Sequence, residues 1–93
     1  MPLGTMNGFG QALKAARLGK GMTLREFCLK NELDPGNMSR YERGLSAPPS
    51  PGTILRWLQK MGYLSSDHVT KNVLSCACVE MQARIRAKFE SYI

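Results

Sequence analysis

Two helix starts stand close together in this chain, and few folds accommodate both. Thr23 and Glu26, in "MTLREF", have the T-x-x-E spacing of a capping box, where hydroxyl and carboxylate each satisfy a backbone N–H. Asp34 and Pro35, in "LDPGNM", supply a capping carboxylate followed by a residue whose fixed φ suits the first helical position. Met22 with Phe27, and Leu33 with Met38, fall where hydrophobic staples lie across such starts. Only a short link, about Asn31 to Leu33, separates the two helices. The residues Asp34-Pro35-Gly36-Asn37 also suit a β-turn, with Pro and Gly at its central positions. A turn leaves Leu33, Met38 and Gly44 unexplained. A helix that starts at Asp34 and stops at Gly44 explains them all.

The flanking segments are helical too. Asn7 can cap a first helix whose stripe is Phe9, Ala12, Leu13 and Ala16, ended by "LGKG" at 18–21. After the Pro-rich "SAPPSPG", Ser50 and Pro51 start a helix with Ile54, Leu55, Leu58 and Met61 inward. Trp57 lies beside that stripe and is expected to be partly buried, and Gly62 is the stop. From Ser66 to Ile93 no Gly or Pro interrupts the chain, which predicts one long helix or two with a bend. No segment alternates like a strand. The predicted class is all-α: a compact helix-turn-helix bundle of four to five helices with an extended C-terminal helix. Residues 1–6 read as a flexible arm, 7–64 as the helix-turn-helix domain, and 65–93 as a C-terminal helical extension.

The outer face of the helix at 34–43 follows from its pitch of about 100° per residue. With Met38 inward, Tyr41, Glu42 and Leu45 share its side. Gly36, Arg40 and Arg43 point away, flanked by Asn37 and Ser39. Arg40 suits guanine O6 and N7, and Asn37 suits adenine N6 and N7. Gly36 either lets backbone approach a groove closely or is tolerated in a first turn. Asp34 should turn onto its own helix, since a carboxylate repels phosphate.

Charge agrees with a polyanionic partner. Thirteen Lys and Arg stand against seven Asp and Glu, a net charge of +6. The 93 residues suggest one domain with a marginal core, which favours a partner subunit. No apolar run suits a bilayer or a signal peptide, so a cytoplasmic setting is expected, with Cys28, Cys76 and Cys78 as reduced thiols.

The stretch from Phe9 to Tyr63 resembles the Xre/Cro family of phage-type repressors, with the lambda-repressor-like fold. The residues that carry the resemblance are "LKAARLGKGMTLREF", "LDPGNMSRYERG" and "ILRWLQKMG". Glu32 stands where the family usually has a turn Gly, Cys28 where it usually has Ala, and Asp34 replaces the common Ser or Thr cap. The Glu32 departure is expected to strain the turn. The resemblance implies a sequence-specific regulator of transcription, with 34–43 as the recognition helix in the major groove of double-stranded DNA. The implied contacts are Thr23, Arg25, Gly36, Asn37, Ser39, Arg40 and Arg43. Thr23 offers a helix N-terminus to phosphate, Arg43 and the loop after Gly44 meet backbone, and Lys14 and Lys20 are weaker candidates. The resemblance also implies that Arg17 bridges to Glu42 and orients the first helix against the third.

Leu74, Cys78, Met81, Ile85, Phe89 and Tyr92 recur along one face of the last segment. The face either packs on its own domain or forms a two-fold dimer interface. Paired readers on a palindromic operator favour the homodimer, and hence a repressor. Arg84, Arg86 and Lys88 are either DNA contacts or a solvated helix back. The competing reading is an antitoxin-like or other neutralising protein that binds a protein partner through this helix and autoregulates its operon. An enzyme is not expected, nor a cofactor or metal. His68 is the only histidine, and Cys76 and Cys78 diverge by about 200° on a helix. "LGKG" lacks the spacing of a P-loop.

Overall fold

Every helix start and stop in the middle of the molecule is fixed by a cap a few residues away. The computed structural model describes residues 8–90. Its five helices are α1 (Phe9–Gly19), α2 (Leu24–Lys30), α3 (Pro35–Glu42), α4 (Pro51–Met61) and α5 (His68–Glu90). The described residues contain no strand, so the class is all-α. Thr23 Oγ1 accepts from the Glu26 N–H, and Glu26 Oε1 accepts from the Thr23 N–H, both at 3.1 Å. Asp34 Oδ2 accepts from the Asn37 N–H at 3.2 Å and Ser50 Oγ from the Thr53 N–H at 3.3 Å, with Pro at the first helical position in each case. The 34–37 stretch is therefore the first turn of a helix.

The stops use left-handed residues. Gly44 has φ +75, its N–H donates to the Tyr41 carbonyl, and the Leu45 N–H donates to the Arg40 carbonyl. These two bonds form a Schellman stop. Gly21 and Gly62 also have positive φ. Between α2 and α3 the left-handed position is held by Glu32, at φ +56. An L side chain there costs about 1–2 kcal/mol, so the departure at Glu32 is a real backbone strain.

The core is assembled from all five helices. It contains Phe9, Leu13 and Ala16 of α1, Phe27 and Cys28 of α2, Met38 of α3, Ile54, Trp57, Leu58 and Met61 of α4, and Val73 and Ala77 of α5. Three expectations need correction. Trp57 is buried, and its ring meets Tyr41 edge to face at 5.3 Å. Leu55 is only half-buried. Leu45 is 54 % exposed, because α3 ends at Glu42 and Gly44 turns the chain before a further helical position is reached.

α1 is not capped by a local side chain. Asn7 and the 1–6 arm lie outside the described residues, and Gly8 holds the cap position. The Phe9 N–H donates instead to Glu80 Oε1 on α5, at 3.2 Å. α5 is one unbroken helix. Its inner side is Thr70, Val73 and Ala77, with Leu74 packed at the edge of the core. From Gln82 to Glu90 every residue is exposed. The apolar stripe is thus divided: Leu74 packs on the body, Met81 is half-buried, and Cys78, Ile85 and Phe89 are exposed. Tyr92 lies outside the described residues.

Candidate nucleic-acid interface

α3 presents two chemically distinct sides. Met38 and Glu42 are buried, and Tyr41 is half-buried against the core. Gly36, Asn37, Arg40 and Arg43 are exposed, with Ser39 half-buried between the sides. The Asn37 amide and the Arg40 guanidinium make no hydrogen bond or ion pair within the described residues, so their donors face solvent uncommitted. Asp34 spends a carboxylate oxygen on its own helix. Arg43 is held loosely by the Ser39 carbonyl, with Nε at 3.4 Å.

The inner side is fixed by charge and by close packing. Arg17 Nε donates to Glu42 Oε2 at 2.8 Å and Nη2 to Glu42 Oε1 at 2.9 Å, a two-pronged bridge from α1 to α3. Arg17 Nη1 also donates to the Met22 carbonyl at 2.7 Å, which ties in the turn before α2. Both side chains of the bridge are 5 % exposed. No buried side-chain nitrogen or oxygen of the described residues lacks a partner. The Glu42 hydrogen bonds raise the Arg17 pKa against the opposing effect of burial, so the guanidinium stays charged.

Beside this bridge, α1 crosses α3 at Gly10, a residue the sequence reading passed over. A Cβ on Gly10 would lie 2.5 Å from the Glu42 carbonyl oxygen and closer still to that of Tyr41. Only a glycine lets the two backbones touch. The available signal was a Gly inside an otherwise helical stripe, which marks close approach. Gly36 differs. A Cβ there meets only the Asp34 carboxylate, at 3.4 Å, so packing does not demand this glycine.

The other end of α3 is held from α5. Arg84 Nη2 donates to the Gly44 carbonyl at 3.2 Å, and its Nε to Glu80 Oε2 at 3.3 Å. Arg84 is thus neither a bare solvated charge nor free to meet DNA without releasing α3. Lys20 is also engaged, over the Tyr63 ring at 4.6 Å. Thr23 and Arg25 are exposed at the α2 start. The Thr23 N–H is already taken by Glu26, whose carboxyl is held below its usual range by its bond to the Thr23 hydroxyl and then by that N–H. The negative charge there opposes phosphate and leaves Arg25 as the cation of that corner.

Glu80 lines a hollow of about 500 Å³ beside Gly10, but both of its carboxylate oxygens are engaged. Among the described residues no three His, Cys, Asp or Glu converge as metal ligands, and no helix is long and apolar enough to cross a membrane. Comparison with protein-family models, curated proteins and solved structures returns no match.

Proposed function

We propose that this chain is a sequence-specific double-stranded DNA-binding regulator of transcription that reads the major groove with α3. The observation that carries the reading is the outer face of α3. It offers an uncommitted amide at Asn37 and an uncommitted guanidinium at Arg40, on a helix whose inner side is fixed by the Arg17–Glu42 bridge and the Gly10 crossing. A donor set on a rigid helix is what discrimination between base edges requires. Arg25, at the start of α2, and Arg43, at the end of α3, supply sequence-independent attraction to phosphate. Two copies would read the half-sites of a palindromic operator, about 34–36 Å apart, and occupancy of the operator would repress.

The test is selection of duplex targets in vitro at defined salt, followed by titration of the selected site. Arg40→Ala is expected to weaken binding to that site by about 10–100-fold and to relax preference at one or two positions. Equal loss on random duplexes would reject a base-reading role for Arg40.

A further inference from the structure

The stop at Gly44 leaves the peptide that follows it without an anchor of its own. A Cβ at Gly44 would meet nothing within 4 Å, and the Leu45 side chain is exposed. Neither residue holds the Gly44–Leu45 peptide by packing, so its orientation rests on its two polar groups. The Leu45 N–H donates to the Arg40 carbonyl at 2.9 Å, and the Gly44 carbonyl accepts from Arg84 Nη2 at 3.2 Å.

Both groups belong to one peptide unit, which is planar and rigid. A guanidinium that fixes its oxygen therefore fixes the direction of the N–H on the opposite edge. It also polarises the unit, since a carbonyl that accepts from a cation makes its own N–H a stronger donor. Arg84 thus reaches the backbone of Arg40 through a single peptide. α3 has only eight residues, too few to hold its shape unaided. Its start has the Asp34 cap and its inner side the Arg17–Glu42 bridge. Its carbonyl end has the bond from Arg84. Arg84 is itself aimed by Glu80, whose Oε2 accepts from Nε at 3.3 Å while Oε1 accepts from the Phe9 N–H.

We propose that Arg84 is a positioning residue for base reading: from α5 it sets the backbone at Arg40, and with it the line along which the Arg40 guanidinium leaves the helix. The proposal rests on α3 as the reading helix, and it gives α5 a share in specificity without contact to DNA.

Arg84→Met keeps the stem of the side chain and removes its donors. The Arg84 side chain is 41 % exposed, so the change buries no unpaired charge, and the far-UV circular dichroism should stay unchanged. Without DNA, hydrogen exchange of the Leu45 amide in the full chain should quicken about tenfold. The Tyr63 amide, which makes the matching bond to the Leu58 carbonyl at the Gly62 stop of α4, should keep its rate. With DNA, the probe is the selected duplex against the same duplex altered at the base pair where Arg40→Ala relaxes preference. Arg84→Met should lower that preference about tenfold, with affinity for random duplexes and the salt slope as in the parent. In an Arg40→Ala background it should lower preference no further. An unchanged Leu45 rate overturns the proposal whatever the chain binds. Equal weakening on all duplexes, with a salt slope smaller by about one, would make Arg84 a phosphate contact and overturn it too. Preference lost in Arg40→Ala but kept in Arg84→Met sinks the proposal alone. Preference kept in Arg40→Ala sinks the α3 reading, and the proposal with it.

Discussion

Replacing Gly10 by Ala places one methyl group between two backbones. The new carbon would sit 2.5 Å from the Glu42 carbonyl oxygen and 2.8 Å from its carbon. Ordinary contact needs about 3.5 Å, so α1 and α3 must separate by roughly 1 Å. A gap of that size forfeits a quarter to a half of each facing dispersion contact. Overpacking of this kind costs about 1–3 kcal/mol. The displaced carbonyl belongs to Glu42 itself, so the 2.8 and 2.9 Å bonds to Arg17 stretch as well. Helix propensity returns about 1 kcal/mol. With about 1 kcal/mol for the strained charge-assisted bonds, the net loss is about 1–3 kcal/mol, against a total of about 5–14 kcal/mol for 93 residues. Tm should fall by about 4–24 °C. Urea and thermal unfolding by circular dichroism measure it, with Gly52→Ala, whose Cβ meets nothing within 4 Å, as the control. A Gly10→Ala midpoint within about 4 °C of the parent would refute backbone contact at the crossing.

Further expectations concern the bridge, the tip of α3 and the strained turn. Arg17→Met leaves the Glu42 carboxylate buried and should cost about 3–5 kcal/mol, whereas Arg17→Met with Glu42→Leu should recover most of that loss; a double-mutant cycle by urea melts checks it, and additive losses would contradict coupling. Gly36→Ala should stabilise the fold by about 0.5 kcal/mol while weakening the selected duplex about tenfold; unchanged affinity would return Gly36 to the role of a tolerated first-turn residue. Glu32→Gly relieves the left-handed side chain but gives the unfolded chain more freedom, so a net gain of about 0.5–1 kcal/mol is expected, and a lower Tm would deny the strain.

What could be read from the chain was what is decided locally. Thr23 with Glu26, Asp34 with Asn37, Ser50 with Thr53, and Gly44 each act within a few residues, and each appears at its expected place. The α3 wheel was right for Met38 and Glu42, which lie inside the helix. It failed at Leu45 because a wheel has no meaning past its own stop. The packing of Gly10 and the bonds of Glu80 to Phe9 and of Arg84 to Gly44 were not legible, because those partners are distant in sequence. The Phe9 N–H and the Gly44 carbonyl carry no side-chain signature at all. The α5 stripe identified residues that avoid water, but not where the body would cease to cover them. That limit depends on the size of the body rather than on the period of the stripe.

The hydrogen bond from Phe9 to Glu80 spans 71 residues and joins the first helix to the last. Closing a loop of that length costs on the order of 4 kcal/mol before any contact rewards it. Local helices can form in microseconds, but this closure is long-range, so the chain should fold more slowly than helical bundles built from neighbour contacts. It also gives the Phe9 amide an unusual status. First-turn amides ordinarily exchange freely with solvent, since no carbonyl of the same helix reaches them. Here the bond comes from α5, so deuterium uptake at Phe9 times the undocking of α5, a helix start that reports on the far end of the chain.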